Sequence, residues 1–184
     1  MKIATKLYLL VGLLLALSVS VGGMGLFGMK TAVGGLETVY NDRVVPLRDL
    51  KDIADAYAVN IVDTTHKVRN NGMNPQEGLA SVEQAEKLIA ERWKAYLGTV
   101  LVDEEKKLVA EIEPRMKEAE LTVAKLKTLL RESKQDEIAT FAAQELYASI
   151  DPVSESFSRL VTVQLDVAKR EYEQDAAAYA GIRN

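Results

Sequence analysis

The sequence predicts an all-α protein: an N-terminal transmembrane helix followed by an antiparallel up-down-up-down four-helix bundle. Three observations predict it. Leu7 to Met29 are twenty-three consecutive uncharged residues between Lys6 and Lys30. Beyond Lys30, apolar side chains recur alternately three and four apart, the rhythm of packed helices. Strand-like alternation is absent, and Ala, Leu, Glu and Lys dominate, the composition of long helices.

The uncharged run comes first. At ~1.5 Å per helical residue it reaches about 34 Å, enough for a hydrocarbon core of about 30 Å. A cleaved signal peptide is the rival reading, because small residues near Ser20 to Gly23 suit a peptidase, but such an apolar region runs only about 7–15 residues. Residues 1–30 are therefore expected to be a cytoplasmic N-terminus and anchor, and 31–184 an extracytoplasmic domain. Lys2 and Lys6 precede the run and Glu37 and Asp42 follow it, so the positive-inside bias puts the N-terminus in the cytoplasm. Ala16 with Ser20 and Ser18 with Gly22 place small residues four apart, a spacing that lets two membrane helices approach closely and hints at a dimer. Gly23-Met24-Gly25-Leu26-Phe27-Gly28 matches a dinucleotide fingerprint in letters, but no strand precedes it.

Composition excludes several classes. The formal net charge is −4, the outer part is more acidic still, and no long basic run occurs, which argues against nucleic-acid binding. There is no Cys, so disulfides and thiol chemistry are ruled out and packing must supply stability.

In the first outer helix Leu36, Tyr40, Arg43, Leu47, Leu50, Ala54, Tyr57, Ile61, Thr64 and Val68 keep up a 3.5-residue seam. Pro46 should kink it or mark its first solid turn, since proline lacks the N–H that bonds back four residues. Gly72 offers a C-terminal cap. Asn74-Pro75-Gln76-Glu77 supplies an N-cap, a proline at the first helical position and a glutamate at the third, so the second helix starts at Pro75. It carries Leu79, Val82, Glu86, Ile89, Trp93, Tyr96 and Val100 in the same rhythm and ends near Gly98. The third opens at Asp103, which can cap its N-terminus, with Glu104 and Glu105 favourably placed in the first turn, and its seam is Val109, Ile112, Met116, Ala119, Val123, Leu126 and Leu130, with a bend expected at Pro114. Ser133-Lys134-Gln135-Asp136 reads as the next cap. Phe141, Leu146, Ile150, Val153, Phe157, Leu160, Val167 and Tyr172 carry the fourth helix, which holds Pro152.

The second and third helices reach about 35–45 Å and the first and fourth about 55–70 Å at ~1.5 Å per residue, so the long pair is expected at the membrane. No capping signal closes the chain at Ala180-Gly181-Ile182-Arg183-Asn184, and a second membrane span is expected to follow.

This layout, with Tyr40-Asn41-Asp42-Arg43-Val44-Val45-Pro46-Leu47, Asn60 to Asn70, Arg92-Trp93-Lys94-Ala95-Tyr96 and Tyr147-Ala148-Ser149-Ile150-Asp151-Pro152, resembles the four-helix-bundle sensor domain of bacterial methyl-accepting chemotaxis proteins. The similarity runs from the anchor to the last residue. It implies an inner-membrane receptor with a periplasmic sensor and a homodimer. Ligand would bias a small displacement of the fourth helix, passed through a second span to cytoplasmic signalling partners. In the family's aspartate and serine receptors, ligand sits at the membrane-distal end, between the first helix, the start of the fourth and the partner's first helix, with arginines taking the carboxylates. The matching positions here are the end of the first helix and Tyr147 to Ser154, including Ser149 and Ser154. Those receptors place several arginines along the first helix, whereas this chain has Lys67 and Arg69 beside His66. A small organic anion is therefore the expected ligand, with a carboxylate other than an amino acid at least as well suited as an amino acid.

The residues themselves point the same way. Asn60, Thr64, Lys67 and Asn71 form a polar stripe on the distal part of the first helix, which equally suits a solvated face. Arg69 can fork onto a carboxylate; a surface pair with Asp63 or Glu77 is the alternative. Pro152 cannot donate to Ala148 and so frees backbone acceptors there, or it merely shapes the bundle. Tyr147 adds a hydroxyl and a ring, and Arg131 lies at the same end. A lone His66 cannot supply the paired Glu-x-x-His motifs of a di-iron bundle, and no Ser or Thr has a base at a motif spacing, so neither catalysis, metal nor cofactor is expected. The rival readings are the sensor of a membrane histidine kinase and a tethered bundle that binds only proteins.

Overall fold

The computed structural model describes residues 3–183; Lys2, on the expected cytoplasmic flank, and Asn184 lie outside the described residues. Every described element is helical. The chain divides into two compact units, Met1–Asn41 and Asp42–Asn184.

The first unit is built on α1 (Ile3–Val39). Its apolar side chains, among them Leu7, Leu10, Leu14, Leu17 and Phe27, are exposed to no protein partner. Among the described residues this helix supplies the one candidate membrane span, long and apolar enough to cross a bilayer. Its hydroxyls turn back onto the backbone, Ser20 Oγ donating to the Ala16 carbonyl at 2.8 Å and Thr31 Oγ1 to that of Phe27 at 3.1 Å, so each is satisfied within the helix itself. The glycines of the fingerprint-like stretch lie inside this helix, where no strand precedes them.

In the second unit the first bundle helix is not uniformly α. A π-helical turn, π1 (Tyr40–Val44), leads into α2 (Val45–Asp55), a second π segment, π2 (Ala56–Asp63), and α3 (Thr64–Arg69). Pro46 explains π1. Its ring crowds the carbonyl four residues back, that of Asp42, and it has no N–H to give; the freed Asp42 carbonyl instead accepts from Arg43 Nη1 at 3.0 Å. After α3 the left-handed residue is Asn71 (φ 57°), not the expected Gly72. The N–H of Gly72 reaches the Lys67 carbonyl at 2.8 Å and that of Asn71 the Val68 carbonyl at 3.0 Å, the bonding pattern of a Schellman turn, in which the first residue past the cap takes positive φ.

The second bundle helix, α4 (Pro75–Leu97), starts where the sequence puts it. Asn74 Oδ1 accepts from the Glu77 N–H at 2.8 Å while Glu77 accepts from the Asn74 N–H at 3.3 Å, a reciprocal capping box. The third, α5 (Asp103–Arg131), is capped not by Asp103 but by Glu105, whose carboxylate accepts the Val102 N–H at 2.8 Å. The expected cap at Ser133 is instead a second Schellman turn: Ser133 takes φ 51°, and Ser133 and Lys134 donate to the carbonyls of Leu130 and Leu129. The fourth helix is broken at Glu145 into α6 (Gln135–Gln144) and α7 (Leu146–Arg183).

The four helices pack in a square. The first lies against α4 on one side and α6–α7 on the other, and α5 completes the ring against α4, α6 and α7. The seams face inward: Leu50, Ile53, Ile61, Val82, Tyr96, Ile112, Leu126, Leu130, Ile150, Phe157 and Leu160 are buried. Leu36 and Tyr40, which open the seam in sequence, are exposed, so the buried seam begins at Arg43. Gly78 lets α4 approach α3 closely, since a Cβ there would meet Val68 Cγ2 at 2.6 Å.

Candidate ligand-binding site

The distal end of the bundle, where the 70–74 and 132–134 turns lie, gathers the residues singled out in the sequence, but on different faces. Thr64 and Asn60 turn toward α4: Thr64 Oγ1 is 3.1 Å from Ser81 Oγ, which itself donates to the Asn60 carbonyl at 3.4 Å. Lys67 is held by Asp63, one turn earlier, at 2.7 Å, and Arg131 by Glu83 of α4 at 2.8 Å. Arg69 has neither partner that a surface pair would use. Asp63 is taken by Lys67 and Glu77 is turned back on its own N-cap, so the Arg69 guanidinium meets only Asn70 Oδ1, at 3.1 Å, and no carboxylate among the described residues lies within ion-pair distance.

One turn before Arg69, on the same face, His66 crosses to the fourth helix. Its Nε2 is 2.7 Å from the Tyr147 hydroxyl, with the rings 5.7 Å apart. This bond ties α3 to the start of α7. Gln135 adds a second tie, donating from Nε2 to the carbonyls of Val68 at 2.6 Å and Arg69 at 3.0 Å. Ser149 is buried, with no hydrogen-bond partner for its Oγ; Ser154 is half-buried and lends its carbonyl to Ser158. Pro152 lies inside α7, and its own carbonyl is used by Arg115 of α5 at 3.2 Å. The structure thus joins His66 to Tyr147 and leaves Arg69 beside them, while Asn60, Thr64 and Arg131 turn to α4. The sequence sets His66 beside Lys67 and Arg69 without marking it for the site; its i, i+3 relation to Arg69 is the signal that could have found it.

A second feature lies deeper. Between α4 and α5, floored by π2, is a cavity of about 530 Å³. Tyr57 and Ile61 come from π2, Ile89, Ala90 and Trp93 from α4, and Met116 and Val123 from α5, with Glu86, Lys94 and Glu120 also at its boundary. Trp93 stacks on Tyr96 at 5.6 Å and meets Phe157 of α7 edge-on at 5.5 Å; Tyr57 lies 6.2 Å from the same Phe157 ring. The sequence identified these aromatics as core filling, which they are, without showing that they leave space.

At the proximal end, which carries Asp42 and the 98–102 turn, a buried polar cluster joins the first helix to the fourth. Arg43 is buried and forks onto Glu171 of α7, Nε donating to Oε2 at 2.8 Å and Nη2 to Oε1, with Gln164 Oε1 at 3.5 Å. The hydrogen bond and charge of Arg43 hold the Glu171 carboxyl below the usual carboxylate range, against the opposing effect of burial. Glu105, wholly buried, accepts from the Tyr96 hydroxyl at 3.0 Å, and burial first, then the Glu105 charge, pushes the Tyr96 phenol far above its ordinary value. Among the described residues no group of three or more His, Asp or Glu side chains is placed to hold a metal ion.

A family model described as a four helix bundle sensory module for signal transduction matches residues 1–179. The methyl-accepting chemotaxis protein NahY of Pseudomonas putida is 38% identical over 181 residues, 98% of this chain and 34% of that protein. The chain therefore spans about a third of that relative's length. No solved structure matches it.

Proposed function

Because this chain belongs to the family of four-helix-bundle sensory modules for signal transduction, we propose that it is the periplasmic ligand sensor of an inner-membrane chemoreceptor. Residues 1–30 hold it in the membrane with the N-terminus in the cytoplasm, residues 31–184 carry the sensor, and two copies act as a homodimer. It binds rather than catalyses, and its output reaches cytoplasmic partners through the remainder of the receptor.

The ligand in this reading is a small organic anion bound at the distal end. The observation that carries it is Arg69, a guanidinium with no carboxylate partner beside the His66–Tyr147 bond that joins the first helix to the fourth. A planar fork matches a carboxylate with two parallel hydrogen bonds. A ligand held there by Arg69, with support from Lys67, Tyr147 and the Ser149 to Ser154 stretch, touches both helices and biases their relative position. It does so only by its differential affinity for two arrangements, and a coupling of ~1–3 kcal/mol is enough for a 5- to 150-fold bias.

Calorimetric titration of the whole chain in detergent with di- and tricarboxylates, ring carboxylates and neutral sugars tests this. A carboxylate is expected to bind. Arg69→Ala should then weaken it by about 1.5–3 kcal/mol, the range for a hydrogen bond to a charged group, with the melting temperature nearly unchanged. Binding of sugars alone, or normal carboxylate binding by Arg69→Ala and Lys67→Ala, defeats the assignment.

A further inference from the structure

We propose that the cavity between α4, α5 and π2, lined by one bundle and partly open to solvent, is a second binding site for a small, uncharged, largely apolar molecule carrying one hydrogen-bonding group. Its size is the first support. Its volume of about 530 Å³ falls within the roughly 300–1,000 Å³ of small-molecule clefts.

The walls define the ligand. Ile61, Ile89, Met116 and Val123 with the rings of Tyr57 and Trp93 make an apolar surface. Of the charged residues at its boundary, Glu86 is already paired with Lys127 at 2.5 Å, and Lys94 and Glu120 are exposed. A carboxylate taken in against this apolar surface would lose part of its hydration and face Glu86 and Glu120 across the cavity. Tyr57 supplies the single polar contact. It is only 3% exposed, and its hydroxyl makes no hydrogen bond among the described residues, whereas its neighbour in the ring cluster, Tyr96, bonds Glu105. The hydroxyl keeps access to solvent, so it opens on the cavity, where a ligand oxygen or nitrogen would take the place of water. The backbone agrees: Tyr57 and Ile61 are presented by a π segment with no proline to cause it, and such departures concentrate at functional sites. Occupancy would be felt beyond the cavity, since both Tyr57 and Trp93 touch Phe157 of α7.

Trp93 is the only tryptophan in the chain, so its emission reports on this cavity and its immediate rim. The whole chain in detergent is titrated with benzyl alcohol, toluene and benzoate. Benzyl alcohol should shift Trp93 emission saturably and benzoate at least tenfold less tightly. Tyr57→Phe should abolish the preference for benzyl alcohol over toluene. Ala90→Phe, which adds a ring at an exposed position on the cavity wall, should eliminate the saturable phase with helix content retained; Ala90→Leu is the milder filling variant if the first unfolds. A linear response indifferent to either filling variant, reflecting partition into the micelle, overturns the proposal, as does benzoate binding equally well. So does a filling variant that changes the oligomeric state and not the probe response, which would make the cavity a socket for a second copy. Carboxylate binding at Arg69 is read separately, by calorimetry, so either site can fail without the other.

Discussion

Glu105 is the residue whose removal should cost the fold most for the least loss of volume. It is fully buried, yet its carboxylate serves two donors from different elements: the Tyr96 hydroxyl at 3.0 Å and the Val102 N–H at 2.8 Å, one of the orphan amides of α5. Each hydrogen bond to a charged group contributes about 1.5–3 kcal/mol. Val102 is half-buried, so water can take over part of its share, but Tyr96 is inaccessible and its abandoned hydroxyl carries the full desolvation penalty of about 1–3 kcal/mol. Glu105→Ala should therefore destabilise by about 3–5 kcal/mol and Tyr96→Phe by about 1–2 kcal/mol, with a coupling of about 1.5–3 kcal/mol between them. Urea unfolding of the two single variants and the double, followed by far-ultraviolet circular dichroism, measures all three. A Glu105→Ala loss below about 1 kcal/mol, or single effects that add within about 0.5 kcal/mol, would refute the reasoning.

Three further outcomes are expected. Gly78→Ala should destabilise by about 1–3 kcal/mol despite alanine's better helix propensity, because its Cβ meets the stiff, buried Val68 at 2.6 Å; Val68→Ala in the same background should recover part of the loss in melting temperature. Ser133→Gly should stabilise by about 0.5–1 kcal/mol, since Ser133 holds φ 51° and glycine meets no Cβ penalty there; the urea midpoint reads it. Glu171→Gln should destabilise at neutral pH, and the gap to the wild-type chain should close in acid: the folded Glu171 carboxyl is held below its ordinary 4.5, so its contribution is present above that value and lost as pH falls through the folded-state pKa. A gap that persists unchanged well below pH 4.5, followed by urea midpoints across pH, would show that Glu171 acts through packing.

What the sequence settled by itself is what depends on near neighbours or on a repeating rhythm. The uncharged run from Leu7 to Met29 needs only length to mark a candidate span. The start of α4 is written in Asn74, Pro75 and Glu77, because a capping box closes within four residues. The seams Leu50 to Val68 and Ile112 to Leu130 name the core because an amphipathic helix must turn that face inward, whatever covers it. Some distal chemistry was also in view, since Lys67 and Arg69 end the first helix and Tyr147 begins the last stretch.

The rest turns on partners far away in sequence. Whether Asn71 or Gly72 takes the left-handed turn follows from how α3 ends, and that end is tied down by Gln135, more than sixty residues on. Arg43 reads as an odd charge in an apolar seam until Glu171, 128 residues later, takes its guanidinium in a fork at the edge of the core. Arg69 is left without a carboxylate among the described residues because Lys67 holds Asp63 and Glu77 caps its own helix. The cavity is the clearest case. Tyr57, Trp93 and Met116 belong to three seams, each a correct apolar stripe, and whether three stripes close on one another or leave about 530 Å³ between them depends on summed side-chain volumes and helix spacing, quantities that no one stripe contains.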